Sequence, residues 1–563
     1  TMQSFMFISS HEKLRKILMD SARISSLVHL GPRAFKSIGG EIVNTVMFSI
    51  ERGNGHLESS FHSVKDLDYE EKVRTIQETL AGRVPQRAYK LNQTEFKKIP
   101  GYPLVYWISD RIRELFRKYK PLIRYADVRQ GCATGDNDRF LRFWWEVRQE
   151  DISQDYKSDR KKWVPYAKGG PYNKWYGNLW WAVDYSEETY KVLKNMGNKL
   201  PSESYYFREG LTYSLISSFG FSARKLPENF IFDQASNYLN YFGGGNPSEM
   251  LSNINSKVFT FLINLICQTV NFTVGDVKNV PVLGPSVSLS KSISQSEIQM
   301  ILGSLSQHSP LPTLNSVTLS SLAQDCIEIK KELYSFHVME RDFKHDPLSW
   351  GLKQISEEGG LVNVKSALKR FFLHKAELEA RLLINEAVND ELVLKLYELL
   401  PEGTTLRDVI TSYGFISSSE NGKRISVDDP LYPVFEVLQS EGIPVGAYPA
   451  RELNEDEKKT LKKLYLKHRH NRGSGKSEAI TGMEFGIVEE LAGALKVSPV
   501  TVVEELAKID ALPSEAVKDV ISEHIQALTI EIMREDDDGI LSLSTDTGET
   551  SIATRIIERW RAL

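Results

Sequence analysis

Apolar positions recur at helical spacing near the start of the chain. Leu14, Ile17 and Leu18 fall on one face of a segment that Ser9 or Ser10 can cap. The period then shortens. Ile24–Leu30 reads as a strand, Gly39-Gly40 as a turn and Ile42–Ile50 as a second strand, so an antiparallel hairpin at a sheet edge is expected. Residues 51–95 are charged and weakly periodic and read as a connecting segment. The stretch Lys97–Tyr119 has a Pro-Gly-Tyr-Pro turn and then an amphipathic helix. Residues 121–285 mix Gly, Asn and aromatics with short strand-like runs such as Asn229–Ala235, which predicts a loop-rich α/β unit. The apolar run Val258–Phe272 contains Asn264 and Gln268 and is too short to span a bilayer, so it reads as a buried helix. Beyond Pro285 helical spacing dominates, with long helices expected over Ser320–His337 and Ala367–Leu400 and a third helical block from about Glu452.

Length and composition extend this picture. A chain of 563 residues is long for one domain, and 41% hydrophobic with 26% charged residues is ordinary for a globular protein. Cys132, Cys267 and Cys326 are far apart and have no metal-ligand spacing, so free thiols in a reducing compartment are expected, with no metal. No signal peptide is evident. The chain opens Thr1-Met2-Gln3, without a leading methionine or a cap, and is expected to be part of a longer protein. The net charge of −4 names no partner, but charge is unevenly spread. Residues 111–180 hold sixteen Lys and Arg against nine Asp and Glu, an excess of seven positive charges. Residues 501–563 hold six against fourteen, an excess of eight negative charges that includes Arg534–Gly539 (REDDDG).

The basic segment is also the aromatic one: six of the nine tryptophans lie between Trp144 and Trp181. Cations neutralise phosphates, flat rings stack on bases, and Gly169-Gly170 lets backbone approach a bulky ligand, which points to nucleic acid. Core tryptophans beneath a solvated basic face are the alternative. Three other signals are weaker. Gly473–Ser477 (GSGKS) would need a glycine at position 470 to be a phosphate loop, and His470 stands there, so a flexible basic loop is expected. The Lys467–His470 pair of histidines (KHRH) is isolated in a basic helix. Leu491–Leu506 has the cadence of a helix-turn-helix, but Glu504 and Glu505 repel phosphate and an ordinary helical hairpin is expected. No nucleophile, acid–base or metal constellation stands out.

The order of the segments resembles the C-terminal part of the large adenine-specific DNA methyltransferases of BREX phage-defence systems, the PglX family. The resemblance is carried by Thr1–Leu18 and His29–Phe48, by 96–109 (FKKIPGYPLVYWIS), 130–147 (QGCATGDNDRFLRFWWEV), 161–178 (KKWVPYAKGGPYNKWYGN), 205–233, 271–282 (NFTVGDVKNVPV) and 340–350 (ERDFKHDPLSW). It fades beyond about residue 400. It implies an α/β plus helical fold in four parts: residues 1–52 as the C-terminal edge of a Rossmann-like methyltransferase domain, 53–95 as a connecting segment, 96–285 as a mixed α/β target-recognition domain, and 286–563 as a mostly helical region. It implies adenine-N6 methylation of double-stranded DNA by the whole protein with S-adenosyl-L-methionine (SAM), in the bacterial cytoplasm, with other BREX proteins as candidate partners. The family's Gly-rich SAM loop and Asn-Pro-Pro-Tyr-type motif do not occur in this sequence. Residues 244–249 (GGNPSE) have Asn-Pro but lack the second proline and the aromatic residue. This chain alone is therefore expected to be inactive, with the missing N-terminal half as a partner and no catalytic or cofactor residue here. A non-catalytic DNA-binding module or specificity subunit is the alternative. The resemblance places Arg129, Thr134, Gly135, Asp136, Asn137, Arg139, Lys168, Lys174, Tyr176 and Arg208 near DNA. For Asp136 a turn-capping role is the alternative.

Overall fold

The computed structural model describes residues 1–36, 43–53, 58–83, 87–197, 199–267, 269–285, 293–294, 316–401, 404, 451–467, 487–512, 514–535 and 550–562. The Gly39-Gly40 turn, the GSGKS loop, most of the KHRH pair and the core of the REDDDG run lie outside the described residues. The described part is mixed α/β followed by helices.

The expected hairpin is present. Strand β1 (Ala22–Gly31) pairs antiparallel with β2 (Thr45–Arg52), which lies at a sheet edge. The segment expected to be only a connection contributes two more strands. β3 (Glu58–Ser63) runs parallel to β1, and β4 (Ala88–Asn92) pairs antiparallel with β3, giving the order β2-β1-β3-β4. The helix Tyr69–Leu80 lies between β3 and β4. β3 (ESSFHS) has one large apolar residue, Phe61, which is fully buried, so no alternation in the sequence marks this strand. The first helix, Glu12–Ser21, also differs in detail. Neither serine caps it, and Leu14 and Ile17 are exposed, whereas Arg15 and Met19 face inward. The Arg15 guanidinium turns in because it donates to three main-chain carbonyls, Gly101 at 2.8 Å, Phe5 at 3.0 Å and Ile8 at 2.7 Å.

The turn at Gly101 leads to the amphipathic helix Asp110–Lys118, capped by Ser109. Two four-stranded sheets follow. One is β10 (Ala223–Leu226), β9 (Gly210–Ser214), β12 (Ser236–Tyr241) and β5 (Ala126–Arg129), antiparallel throughout. The other is β11 (Ile231–Phe232), β7 (Trp163–Ala167), β8 (Trp181–Asp184) and β6 (Leu141–Phe143), antiparallel except for β11 beside β7. The short link between β11 and β12 joins the sheets, and Phe232 stacks on Tyr238 at 4.7 Å within their shared core. The apolar run forms the buried helix Lys257–Ile266, as expected.

The C-terminal region is helical. Its spine is the 33-residue helix Val364–Leu396, about 50 Å long at 1.5 Å per residue. Helices Leu319–Tyr334, Pro347–Glu357, Ile487–Leu495 and Pro499–Lys508 pack on it. The last two form the expected helical hairpin. Val500, Thr501 and Val502, at the end that would enter a DNA groove, are buried. Among the described residues no helix is long and apolar enough to cross a membrane, and all three cysteines are buried and unbonded to one another.

Helix Ser514–Glu535 docks through Glu523, whose carboxylate accepts the Val338 N–H at 3.1 Å. Burial lifts the Glu523 pKa from 4.5 to about 7, with Asp519 adding repulsion. A folded-state pKa above the unfolded one favours folding below pH 4.5, and that contribution disappears as pH rises through about 7. Buried His337, lowered to about 4, acts in the opposite sense: its contribution is present above 6.5 and is lost as pH falls through about 4. Glu523→Gln keeps the acceptor and removes the titration. The stability of the variant relative to wild type is expected to rise by on the order of 2 kcal/mol between pH 5 and pH 8, measured by urea denaturation at both pH values.

Candidate nucleic-acid interface

The loop Thr134–Arg139 sits at the centre of the site. Gly135 takes φ +76, a left-handed conformation that favours glycine, and the Lys199 ammonium lies against it, 3.1 Å from where a Cβ would stand. Asp136 accepts the Arg139 N–H at 3.1 Å as the cap of the short helix Asn137–Phe140, so its capping role is realised. The buried Thr134 hydroxyl donates to Asn137 Oδ1 at 2.8 Å, which holds Asn137 on the exposed side. Arg139 is exposed over the Phe140 ring. Arg142 donates to the Asp138 carbonyl at 2.6 Å. Lys168 is partly buried beside the same loop. Burial lowers its pKa, while the carboxylates of Asp233 and Asp138 pull it the other way. Asp233, itself raised by burial, accepts from the Tyr166 hydroxyl at 2.5 Å and from the Ala235 N–H at 2.7 Å.

A second pair of cations lies on Tyr205. Arg129 and Arg208 approach its ring at 4.8 and 5.6 Å, and Arg129 also reaches the Tyr205 hydroxyl at 2.9 Å and Asp127 at 3.1 Å. The Ala133 N–H donates to the Lys199 carbonyl at 2.8 Å, which ties the central loop to the segment leading to Tyr205. Arg208 is exposed. Thus seven of the ten expected residues, Arg129, Gly135, Asp136, Asn137, Arg139, Lys168 and Arg208, have surface to offer a ligand, and Thr134 lies just beneath.

Lys174 and Tyr176 are placed differently. They belong to a loop, Pro171–Trp180, that is plugged into the helical region. The Tyr176 hydroxyl donates to Asp342 and its ring is buried. Lys174 is largely buried 4.0 Å from Glu386. Burial disfavours its charge, but Glu386, Tyr172 and Asp390 together hold its pKa above the ordinary value. In this arrangement both side chains are largely enclosed. Sequence spacing could not show this, because the partners lie 166 and 212 residues further along.

Acceptors in the helical region account for three of the clustered tryptophans, two of them in this loop. Trp175 Nε1 donates to Glu386 at 2.6 Å and Trp180 Nε1 to Glu340 at 2.6 Å, while Trp144 Nε1 donates to the Met339 carbonyl at 3.0 Å. Glu340 also accepts the N–H groups of Asn178 and Leu179 at 3.0 and 3.1 Å. Burial raises the Glu340 pKa, and these three donors oppose the rise. Trp175, Gly177 and Asn178 all have positive φ, +73, +113 and +61. A Cβ on Gly177 would stand 2.3 Å from Tyr334 Cε2, so the backbone itself is pressed onto the helix Leu319–Tyr334.

Sequence reasoning counts Arg142, Trp145 and Trp181 in the basic aromatic segment without placing them near DNA, and it does not single out Phe143 or Lys199. Phe143 and Trp181 are cross-strand partners of β6 and β8, and a strand reading of Leu141–Phe143 would have put their rings together. No group of three or more metal-ligating side chains occurs among the described residues.

No family model matches the chain. Over 288 residues, half of the chain, it is 37% identical to the adenine-specific methyltransferase BrxX of Escherichia coli O9:H4 (strain HS). Over 299 residues, again half of the chain, it is 34% identical to the adenine-specific methyltransferase PglX of Lacticaseibacillus casei (strain Zhang). The aligned stretch spans about a quarter of each relative's length, 23% and 24%. Half of this chain therefore has homologues named BrxX and PglX adenine-specific methyltransferases, and they match the BREX PglX-type family that its sequence resembles.

Proposed function

We propose that the chain is the target-recognition part of a SAM-dependent, site-specific adenine-N6 DNA methyltransferase of a phage-defence system. The observation that carries this reading is the convergence of Arg139, Arg142, Lys168 and Lys199 on the loop Thr134–Arg139. Cations set around an exposed polar loop can neutralise phosphates while Asn137 and Arg139 reach base edges. Arg129 and Arg208 extend the positive surface past Tyr205. The helical region then serves as the rigid mount of the recognition unit, through Glu340, Asp342 and Glu386.

In this reading residues 1–95, one sheet, form the edge of a methyltransferase domain whose SAM and adenine sites lie in further polypeptide. Support comes from edge strand β2, which exposes Met47, Phe48 and Ile50. The reading also accounts for the absence of a Gly-rich SAM loop and an Asn-Pro-Pro-Tyr-type motif from this sequence. That absence equally favours a second reading, a non-catalytic module that positions other defence proteins on DNA.

Co-expression with a polypeptide that carries both motifs separates the two. Adenine methylation of DNA that requires both chains is the expected result. A pair that binds SAM and DNA yet leaves adenine unmodified contradicts the methyltransferase reading.

A further inference from the structure

The strands beside the loop Thr134–Arg139 carry a ladder of rings. Phe143 on β6 stacks on its cross-strand partner Trp181 on β8, with centroids 4.0 Å apart. Trp145 stacks on the other side of the ladder, 4.5 Å from Phe143 and within 6° of parallel. The Lys168 ammonium lies 5.0 Å from the Trp181 ring. All three rings are partly exposed.

Among the six tryptophans of this segment, Trp163 apart, the indole N–H groups are of two kinds. Those of Trp144, Trp175 and Trp180 are buried against acceptors in the helical region. Those of Trp145 and Trp181 make no hydrogen bond to another described residue. An indole N–H only donates, so these two can serve an acceptor brought by a ligand. Parallel rings with a cation at one end suit a flat π-system that carries negative charge nearby. A nucleotide has both features.

Stacking in a duplex leaves each base covered above and below by its neighbours. A stacking platform therefore gains most from a base that has left the helix. We propose that the Lys168–Trp181–Phe143–Trp145 ladder binds one unpaired nucleotide of a DNA strand. The base joins the ladder as a further ring, phosphates along its strand lie toward Lys168 and Arg142, and the indole N–H groups of Trp145 and Trp181, which point outward in their ring planes, meet acceptor atoms of the adjoining backbone. This inference rests on the reading of the same face as a DNA surface, and it adds a preference for unpaired over paired bases.

Fluorescence anisotropy with a labelled 12-nucleotide oligo(dT) and with a hairpin duplex tests it, for wild type, Trp181→Ala, Trp145→Ala and Trp181→Phe. Circular dichroism melting of each variant establishes that it is folded. Trp181→Ala and Trp145→Ala are expected to weaken single-strand binding about tenfold or more and to leave duplex binding within about twofold, while Trp181→Phe retains most single-strand binding. Single-strand binding unchanged by both alanine variants, or absent in the wild type while the duplex binds, overturns the ladder site and leaves the duplex reading standing. Equal losses for both DNAs overturn the preference for unpaired bases. Failure of the wild type to bind either DNA overturns the ladder site and the DNA surface together.

Discussion

Glu340→Ala is expected to cost about 3–5 kcal/mol of stability, read as a lowered urea midpoint at unchanged slope. Three donors, Asn178 N–H, Leu179 N–H and Trp180 Nε1–H, converge on this one carboxylate, which is 2% exposed. Each donor left buried without an acceptor costs about 1–3 kcal/mol, and no water path is expected into so closed a site. Glu340→Gln is expected to recover only part of the loss. The amide oxygen can replace one carboxylate oxygen, but the amide nitrogen must then face a donor. Because Trp180 adjoins Trp181 in the ladder and on β8, loosening Glu340 is also expected to disturb the candidate DNA face from behind.

Trp175→Ala is the second large effect, at about 3–5 kcal/mol in the same assay. Trp175 is 1% exposed, the largest fully buried side chain of the described residues, and its Nε1 donates to Glu386. Truncation opens a cavity and leaves Glu386 with fewer partners near Lys174. It does not relieve the backbone, since alanine at φ +73 bears the same left-handed strain. Trp175→Phe fills most of the volume and is expected to cost less, which would separate the packing loss from the lost hydrogen bond. The two sites share one loop and one set of acceptors, so the double variant is expected to fall short of the sum of the single effects.

These two positions show where the sequence was readable and where it was not. The hairpin β1–β2, the Ser109-capped helix, the buried helix Lys257–Ile266 and the long helices each announce themselves locally, by period, cap or uninterrupted apolar character. Strand β3 does not, because a single buried Phe61 gives no alternation to read. The helix Glu12–Ser21 misled, because Arg15 outweighs Leu14 and Ile17 by satisfying three carbonyls. The exposed loop Thr134–Arg139 was legible as a turn with polar and charged side chains. Lys174 and Tyr176 looked equivalent to Lys168 in composition, and only the fold brings Glu386 and Asp342 against them. By composition the dense tryptophans form one feature. In the fold they divide: Trp144, Trp175 and Trp180 donate to acceptors in the helical region, whereas Trp145 and Trp181 are partly exposed.

The central claim, that this outer face binds duplex DNA, is tested most directly by fluorescence-anisotropy titration with a duplex at several salt concentrations, for wild type and for Arg139→Ala with Arg208→Ala. Both arginines are exposed. The account predicts affinity that falls steeply with salt, weakened in the variant, with the salt slope reduced by about one for each phosphate contact removed. An unchanged affinity and slope in the variant, or no binding by the wild type at low salt, would contradict it.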